Sequence, residues 1–359
     1  MKIAVYTPYL DTAGGGEKYM LTIAEYLSAK HTVDFLLGTH LHNTDVEVTK
    51  EKIQKLHDIN LSKVNFIKAP IGQGSSAISR LLFLKKYDWL FFLSDGSLFY
   101  SSSKHSVIHL QSPITSRSNL TPKGKIKLSS WQLIMYNSEF TKKNAQKFWP
   151  KKGVVVYPPV SVEAIKPLTK KKQIISVGRF FGFLKLKKHE LMIESFKKML
   201  DLKLTSWSLH LVGGAGEDDQ KYVEELKTQA KGLPIFFYPN LAFGDLVKMY
   251  GESQIYWHAA GYGESDPEEQ EHFGITTVEA MAAGCVPVVI NLGGQPEIVD
   301  SGKNGFLWNN LAELEKQTLE LIEDQSLRKK LSKEAIDKSK IFSKEKFCEN
   351  IERIISGDY

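Results

Sequence analysis

Apolar and polar residues along this chain follow two spacings in turn. Short, almost wholly apolar runs read as strands: KIAVYTPY (2–9), VDFLLGT (33–39), DWLFFLS (88–94), SVIHLQ (106–111) and QLIMYNS (132–138). Between them apolar residues recur every three or four positions, as Met20, Ile23, Ala24 and Leu27 do within residues 17–30, which predicts a helix with one buried face. SEFTKKNAQKFW (138–149) predicts another, capped by Thr141. Strands alternating with helices imply an α/β protein whose parallel sheets are covered on both faces.

The pattern breaks once. VVVYPPV (154–160) runs into two prolines and then into KPLTKKKQ (166–173), which continues neither a strand nor a helix comfortably. Beyond it the alternation restarts: IISVGRF (174–180), a helix over about 188–200, WSLHLVGG (207–214), a helix over about 218–230, PIFFYPN (234–240), a helix from 244, QIYWHAA (254–260), VPVVIN (286–291) and helices to the end. Two series of similar size predict two doubly wound, Rossmann-like domains, 1–163 and 164–343, facing each other across a deep cleft. The last helix, about 344–359, is placed against the first domain. A chain of 359 residues is long enough for two ordinary cores. Ligands in such sheets lie at the carboxyl ends of the strands.

Composition narrows the class. Cys285 and Cys348 alone cannot make a disulfide framework and lack metal-ligand spacing, so a reducing cytoplasm is the expected setting. The first residues enter a strand at once, with no signal-peptide pattern, and WLFFL and CVPVVI fall far short of the roughly 20 apolar residues that span a bilayer. The charge is lopsided: 21 Lys+Arg against 11 Asp+Glu in residues 1–160, and 26 against 30 in the remainder. Nine basic residues and one acid, Glu139, lie between Arg117 and Lys152. That stretch reads either as a solvated face or as a surface for anionic membrane.

Three segments carry candidate chemistry. Ala13-Gly14-Gly15-Gly16-Glu17 joins the first strand to the first helix, where glycines allow close approach of a ligand and the helix start offers N–H groups to an anion. A plain tight turn explains it equally, and the dinucleotide pattern GxGxxG fails because Tyr19 stands at its third glycine. Arg179, at the end of SVGRF, is followed by Lys185, Lys187 and Lys188, a planar fork and point charges suited to a diphosphate. In EHFGITTVEAMAAG (271–284), Thr276 and Glu279 fit a capping box and Gly284 a helix end. Glu271 has no such local explanation. It precedes a helix start whose N–H groups, from Gly274 to Thr277, could receive a phosphate. His109 ends a strand, as buried structural histidines often do, and the acidic loop GESDPEEQE (263–271) lacks the spaced ligands of a metal site.

Together GGGEKY (14–19), YNSEFT (136–141), YPPV (157–160), SVGRF (176–180) with its following lysine, LVGG (211–214), residues 271–289 and GGQPEIV (293–299) resemble, in order over nearly the whole chain, the retaining family-4 glycosyltransferases of GT-B fold. The resemblance implies transfer of a hexose, with retained configuration, from a GDP- or UDP-sugar held mainly by the second domain to a saccharide or lipid-linked acceptor. It implies no metal or cofactor and no nucleic-acid partner, and a cytoplasmic protein at the inner face of a membrane. Carried over, Arg179 and Lys187 bind the diphosphate, with Lys185 the rival because Lys188 stands where the family often has glycine. Glu271 contacts the sugar; Gly178, Phe273, Gly274, Ile275 and Thr276 line the donor; Glu279 takes the ribose; Gly15 and Gly16 approach the phosphates. His109 matches the family's histidine near the reacting sugar, with Gln111 its rival. A binding protein that has lost catalysis is the second reading, and a dinucleotide oxidoreductase is disfavoured by the broken glycine pattern.

Overall fold

A computed structural model describes residues 1–10, 14–115, 117–201 and 206–359. They form two units, Met1–Pro159 with Glu345–Tyr359, and Val160–Lys344. The junction falls at Pro159/Val160, inside YPPV, a few residues ahead of the Lys-rich stretch.

The first unit runs β1 (Lys2–Tyr6), α1 (Gly15–Ser28), β2 (Thr32–Leu37), α2 (Val46–His57), β3 (Val64–Lys68), α3 (Ala77–Leu84), β4 (Trp89–Leu93), β5 (His105–Leu110), α4 (Pro122–Ser129), β6 (Leu133–Tyr136), α5 (Glu139–Ala145) and β7 (Gly153–Val155). Its sheet is ordered β3-β2-β1-β4-β5-β6-β7, with every described pair parallel. Alternate strand residues feed two cores. Ile3, Val5, Phe91 and Val107 face one side, and Ala4, Tyr6, Phe92 and Ile108 the other. The edge strand β3 gave no sequence signal, since only Val64 is fully buried, Phe66 and Ile67 are half-buried, and Asn65 and Lys68 are exposed.

The second unit runs β8 (Gln173–Val177), α6 (His189–Asp201), β9 (Ser208–Gly213), α7 (Gln220–Gln229), β10 (Ile235–Pro239), α8 (Phe243–Glu252), β11 (Ile255–His258), α9 (Ile275–Ala282), β12 (Val286–Ile290), α10 (Gln295–Ile298), β13 (Phe306–Trp308), α11 (Leu311–Glu323) and α12 (Gln325–Ser339). The strand order β10-β9-β8-β11-β12-β13 repeats that of the first sheet. Both orders reverse beside their first strand, between β1 and β4 and between β8 and β11. There the connections leave to opposite sides and open a crevice at the carboxyl ends.

The last helix, α13 (Lys344–Ser356), buries Phe347, Ile351 and Ile354 in the core of the first unit, and Tyr26 donates to Glu352 at 2.9 Å. One local expectation is corrected. The cap of α5 is Ser138, whose hydroxyl accepts from the Thr141 N–H at 3.0 Å. Lys170, in the Lys-rich stretch, is tied into the second unit. Its ammonium donates to the carbonyls of Ser253 and Ala283 at 2.6 and 2.7 Å, at the ends of α8 and α9 where helix dipoles are negative.

Candidate functional site

The crevice of the second sheet gathers side chains from two loops. Gly178 follows β8 and still pairs with β9, its N–H donating to Val212 O at 2.9 Å. The chain then loops through Arg179 to Lys188. A Cβ on Gly178 would lie 2.9 Å from Lys187 Cγ, so only glycine lets the Lys187 stem pass so close to the strand end. Lys187 donates to Glu271 Oε2 at 2.6 Å. The same oxygen takes a second hydrogen bond, 3.1 Å, from Nε2 of His258, the last residue of β11.

Glu271 is 21 % exposed, and its burial alone would raise its pKa. The Lys187 charge and the His258 hydrogen bond outweigh that burial and hold the carboxyl well below the usual range. His258 is itself 3 % exposed; burial lowers its pKa against the opposing pull of Glu271. It is therefore neutral near pH 7, donates through Nε2, and leaves Nδ1 buried without a partner. Sequence reasoning missed His258 because it reads as one more residue of QIYWHAA. The available signal was its place at a strand's carboxyl end beside the chain reversal.

Lys185 and Lys187 now separate. Lys185 pairs with Glu190 Oε1 at 3.0 Å and sits 4.9 Å over the Tyr222 ring, so its charge is used within α6 and α7. Lys187 is the lysine that reaches Glu271. Lys188 has φ +56, the left-handed region glycine favours, and pairs with Glu264 of the acidic loop. The glycine often found at this position in the family fits that backbone. The acidic loop is thus tied to the Arg179–Lys188 loop, and just ahead of it the Gly261 N–H donates to Leu186 O at 3.3 Å.

α9 begins at Ile275, with Gly274 as its N-cap at φ +117 and no side-chain cap. The expected capping box is therefore not formed. Thr276 lies inside the first turn, its hydroxyl sharing a 2.8 Å hydrogen bond with Tyr256, and Glu279 accepts from Tyr250 at 3.2 Å. Gly284 does close the helix, with φ +75 and its N–H on Met281 O. Phe273 is 2 % exposed and packs on Phe342, so only its backbone is available to a ligand. Gly293 and Gly294 press against this segment. A Cβ on Gly293 would lie 2.1 Å from Glu271 O, and the Gly294 N–H donates to that oxygen at 2.8 Å. Glycine here lets the backbone itself fix Glu271. Arg179 is exposed on the same loop as Lys187, and Ile275 is half-buried.

In the first unit Ala13 lies outside the described residues. Gly14 is the N-cap of α1, and Gly15 and Gly16 form its first turn rather than a free loop. A Cβ on Gly16 would lie 2.0 Å from Gln111 Oε1, so Gln111 is the side chain that closes on the glycine turn. His109 is fully buried, stacks on Tyr19 at 3.8 Å and makes a 3.3 Å hydrogen bond with Met135 O. Burial pushes its pKa down to about 3. It has the surroundings of a structural core histidine. Among the described residues no three His, Cys, Asp or Glu side chains are placed to hold a metal ion, and no helix is long and apolar enough to cross a membrane.

Residues 161–338 match the family model described as glycosyl transferases group 1. The chain is similar to GDP-Man:Man(3)GlcNAc(2)-PP-Dol alpha-1,2-mannosyltransferase of Dictyostelium discoideum, 28 % identical over 60 % of this chain and 45 % of that protein. It is similar to the Homo sapiens protein of the same name, 31 % identical over 53 % of this chain and 40 % of that one. The chain thus spans less than half the length of either relative. Among solved structures it resembles Anabaena HepE in complex with UDP and glucose, with a TM-score of 0.73 at 18 % identity over 99 % of this chain and 100 % of that one. The matches agree on a glycosyltransferase family for residues 161–338 and on the GT-B fold for the chain.

Proposed function

We propose that the chain is a retaining family-4 glycosyltransferase that moves a hexose from a GDP- or UDP-sugar to a saccharide or lipid-linked acceptor. The observation that carries this is the Glu271 carboxylate, held ionised by Lys187 and His258 beside the uncapped start of α9. In this scheme the donor diphosphate takes Lys187 from Glu271 and is shared with Arg179 and the first N–H groups of α9. Glu271, still bonded to His258, then accepts from the sugar hydroxyls. Gly178 and the backbone of residues 273–276 line the diphosphate and sugar, and Glu279 takes the ribose.

The C1–O bond breaks with its electron pair leaving on the nucleoside diphosphate, whose growing charge the cations and N–H groups stabilise. The acceptor oxygen bonds to C1 from the same face, and its proton passes to the departing phosphate. These groups meet the diphosphate charge without a metal, so transfer is expected to persist in chelator. The names of the two relatives favour a lipid-linked acceptor and put GDP-mannose first among donors to try. Such an acceptor would be met at an anionic membrane surface through residues 117–152, where Lys123, Lys125, Lys143 and Lys147 are exposed and Ile126 is 63 % exposed. Each cation near such a surface contributes about 1 kcal/mol. Pelleting with anionic vesicles at low salt supports that surface; none at low salt removes it.

Nucleotide release from a panel of GDP-, UDP- and ADP-sugars, with and without lipid and saccharide acceptors, tests the reading. Release that requires an acceptor and is lost in Arg179→Ala supports it. Tight binding with no release on any acceptor favours the inactive binding protein. Failure to bind any nucleoside diphosphate sinks both.

A further inference from the structure

The first sheet has a crevice of its own. Where β1 meets β4, Tyr6 stands opposite Phe92 with the rings stacked at 5.5 Å, and Phe99 packs on Phe92 at 5.0 Å. This aromatic floor underlies a cavity of about 380 Å³ at the strands' carboxyl ends, within the range of small-molecule sites. Its walls are fixed. The Thr39 N–H donates to Ile71 O and the Thr39 hydroxyl to Gln73 O, both at 2.8 Å, and the Asp95 turn is closed by Ser97 N–H to Asp95 Oδ1 at 2.9 Å.

Two opposite charges line this cavity without neutralising each other. Arg80 makes no ion pair among the described residues. Its Nη1 lies 3.4 Å from Ser75 Oγ, its guanidinium 5.2 Å over the Phe99 ring, and its Nε is buried with no partner. A half-buried guanidinium with an unmatched N–H is costly unless something else supplies the acceptor. Asp95 takes the Ser97 N–H and hydroxyl and likewise has no cation bridged to it. Both charges act on the Tyr6 hydroxyl, which places them around one opening. The unpaired guanidinium with its orphaned N–H suits an anion, and the lone carboxylate suits hydroxyls.

We propose that this cavity binds a phosphorylated saccharide, its hydroxyls on Asp95 and its phosphate on Arg80. That it is the acceptor site rests on the transfer reading above; that it is a binding site does not.

The test is saturation-transfer NMR of mannose 1-phosphate with the full chain, with and without excess GDP and UDP. Signal that survives the nucleotides, exceeds that of free mannose and of glucuronate, and falls about tenfold in apparent affinity (about 1.4 kcal/mol) in Arg80→Gln and Asp95→Asn is expected. Circular dichroism identifies a variant that fails to fold, and the other then decides. No signal, abolition by the nucleotides, or equal signal in the folded variants overturns the proposal, and a stronger glucuronate signal overturns the phosphate assignment. Nucleotide binding is read separately. If GDP and UDP bind nowhere, the transfer reading falls while the result at this cavity stands.

Discussion

Replacing Glu271 by glutamine should move binding and turnover in opposite directions. In the ligand-free molecule Lys187 is committed to Glu271 at 2.6 Å. A diphosphate that recruits Lys187 must first break that pair, and it also meets the negative charge of Glu271 across a short distance. At an effective dielectric of about 20 the bare attraction at this separation is roughly 6 kcal/mol. Both side chains retain some exposure, 31 % for Lys187 and 21 % for Glu271, so screening and the desolvation of each ion reduce the net worth to about 1 kcal/mol. Glu271→Gln removes the pair while keeping shape and one hydrogen-bond acceptor for His258.

The product nucleoside diphosphate should therefore bind about fivefold more tightly to Glu271→Gln, the equivalent of about 1 kcal/mol. Transfer should fall at least roughly tenfold, because the sugar loses its charged hydrogen-bond partner in the transition state. Lys187→Gln should weaken diphosphate binding and transfer together. Titration calorimetry with GDP and UDP reads the binding, nucleotide release reads the transfer, and the gain in binding should shrink as salt is raised. Binding that is weakened or unchanged in Glu271→Gln would refute the competition of carboxylate and diphosphate for one lysine. Turnover at the wild-type rate would refute the role given to Glu271.

Two further perturbations test the frame around the site. Lys188→Ala and Lys188→Gly both lose the Glu264 pair, but only alanine keeps a Cβ at φ +56, so the alanine variant should be the less stable by about 1 kcal/mol in chemical unfolding; equal stabilities would mean the left-handed backbone is unstrained. For His109 the folded pKa, about 3, lies below the unfolded value of 6.5, so the unfolded chain binds the extra proton and stability is lost as pH falls below about 6.5. Between pH 7 and pH 5 that amounts to about 2 kcal/mol from this residue. In His109→Gln the first unit's unfolding should lose that part of its acid sensitivity, and an unchanged pH slope would show that His109 is protonated in the folded state.

What the sequence shows and what it hides divide along a physical line. Periodicity reports whether a segment has one buried face or two, so the strands with fully apolar runs, such as WLFFL, and the helix over residues 15–28 were legible. Caps and pairs depend on where the first helical residue falls, and neighbouring hydroxyls compete for that place. In SEFT either Ser138 or Thr141 can cap, and the fold chooses Ser138. In FGITTVE the left-handed Gly274 starts the helix early enough that Thr276 and Glu279 fall out of capping register.

The candidate site shows the same division more sharply. Glu271 stood out because no local role accounts for it, and that reasoning needs no knowledge of the fold. His258 could not stand out, because its role exists only where β11 ends beside β8 and the chain, thirteen positions on, brings Glu271 back over it. Lys185 and Lys187 are chemically identical in sequence, and only the turn through two left-handed lysines assigns one to Glu190 and the other to Glu271. The cavity of the first unit follows the same rule. Tyr6, Arg80 and Asp95 lie on three separate segments with no motif among them, and the reversal of strand order beside β1 is what joins them. Chemistry at these switch points is written in the topology first and in the residues second, so the groups to inspect are those within a few positions of each strand's carboxyl end, whether or not they form a motif.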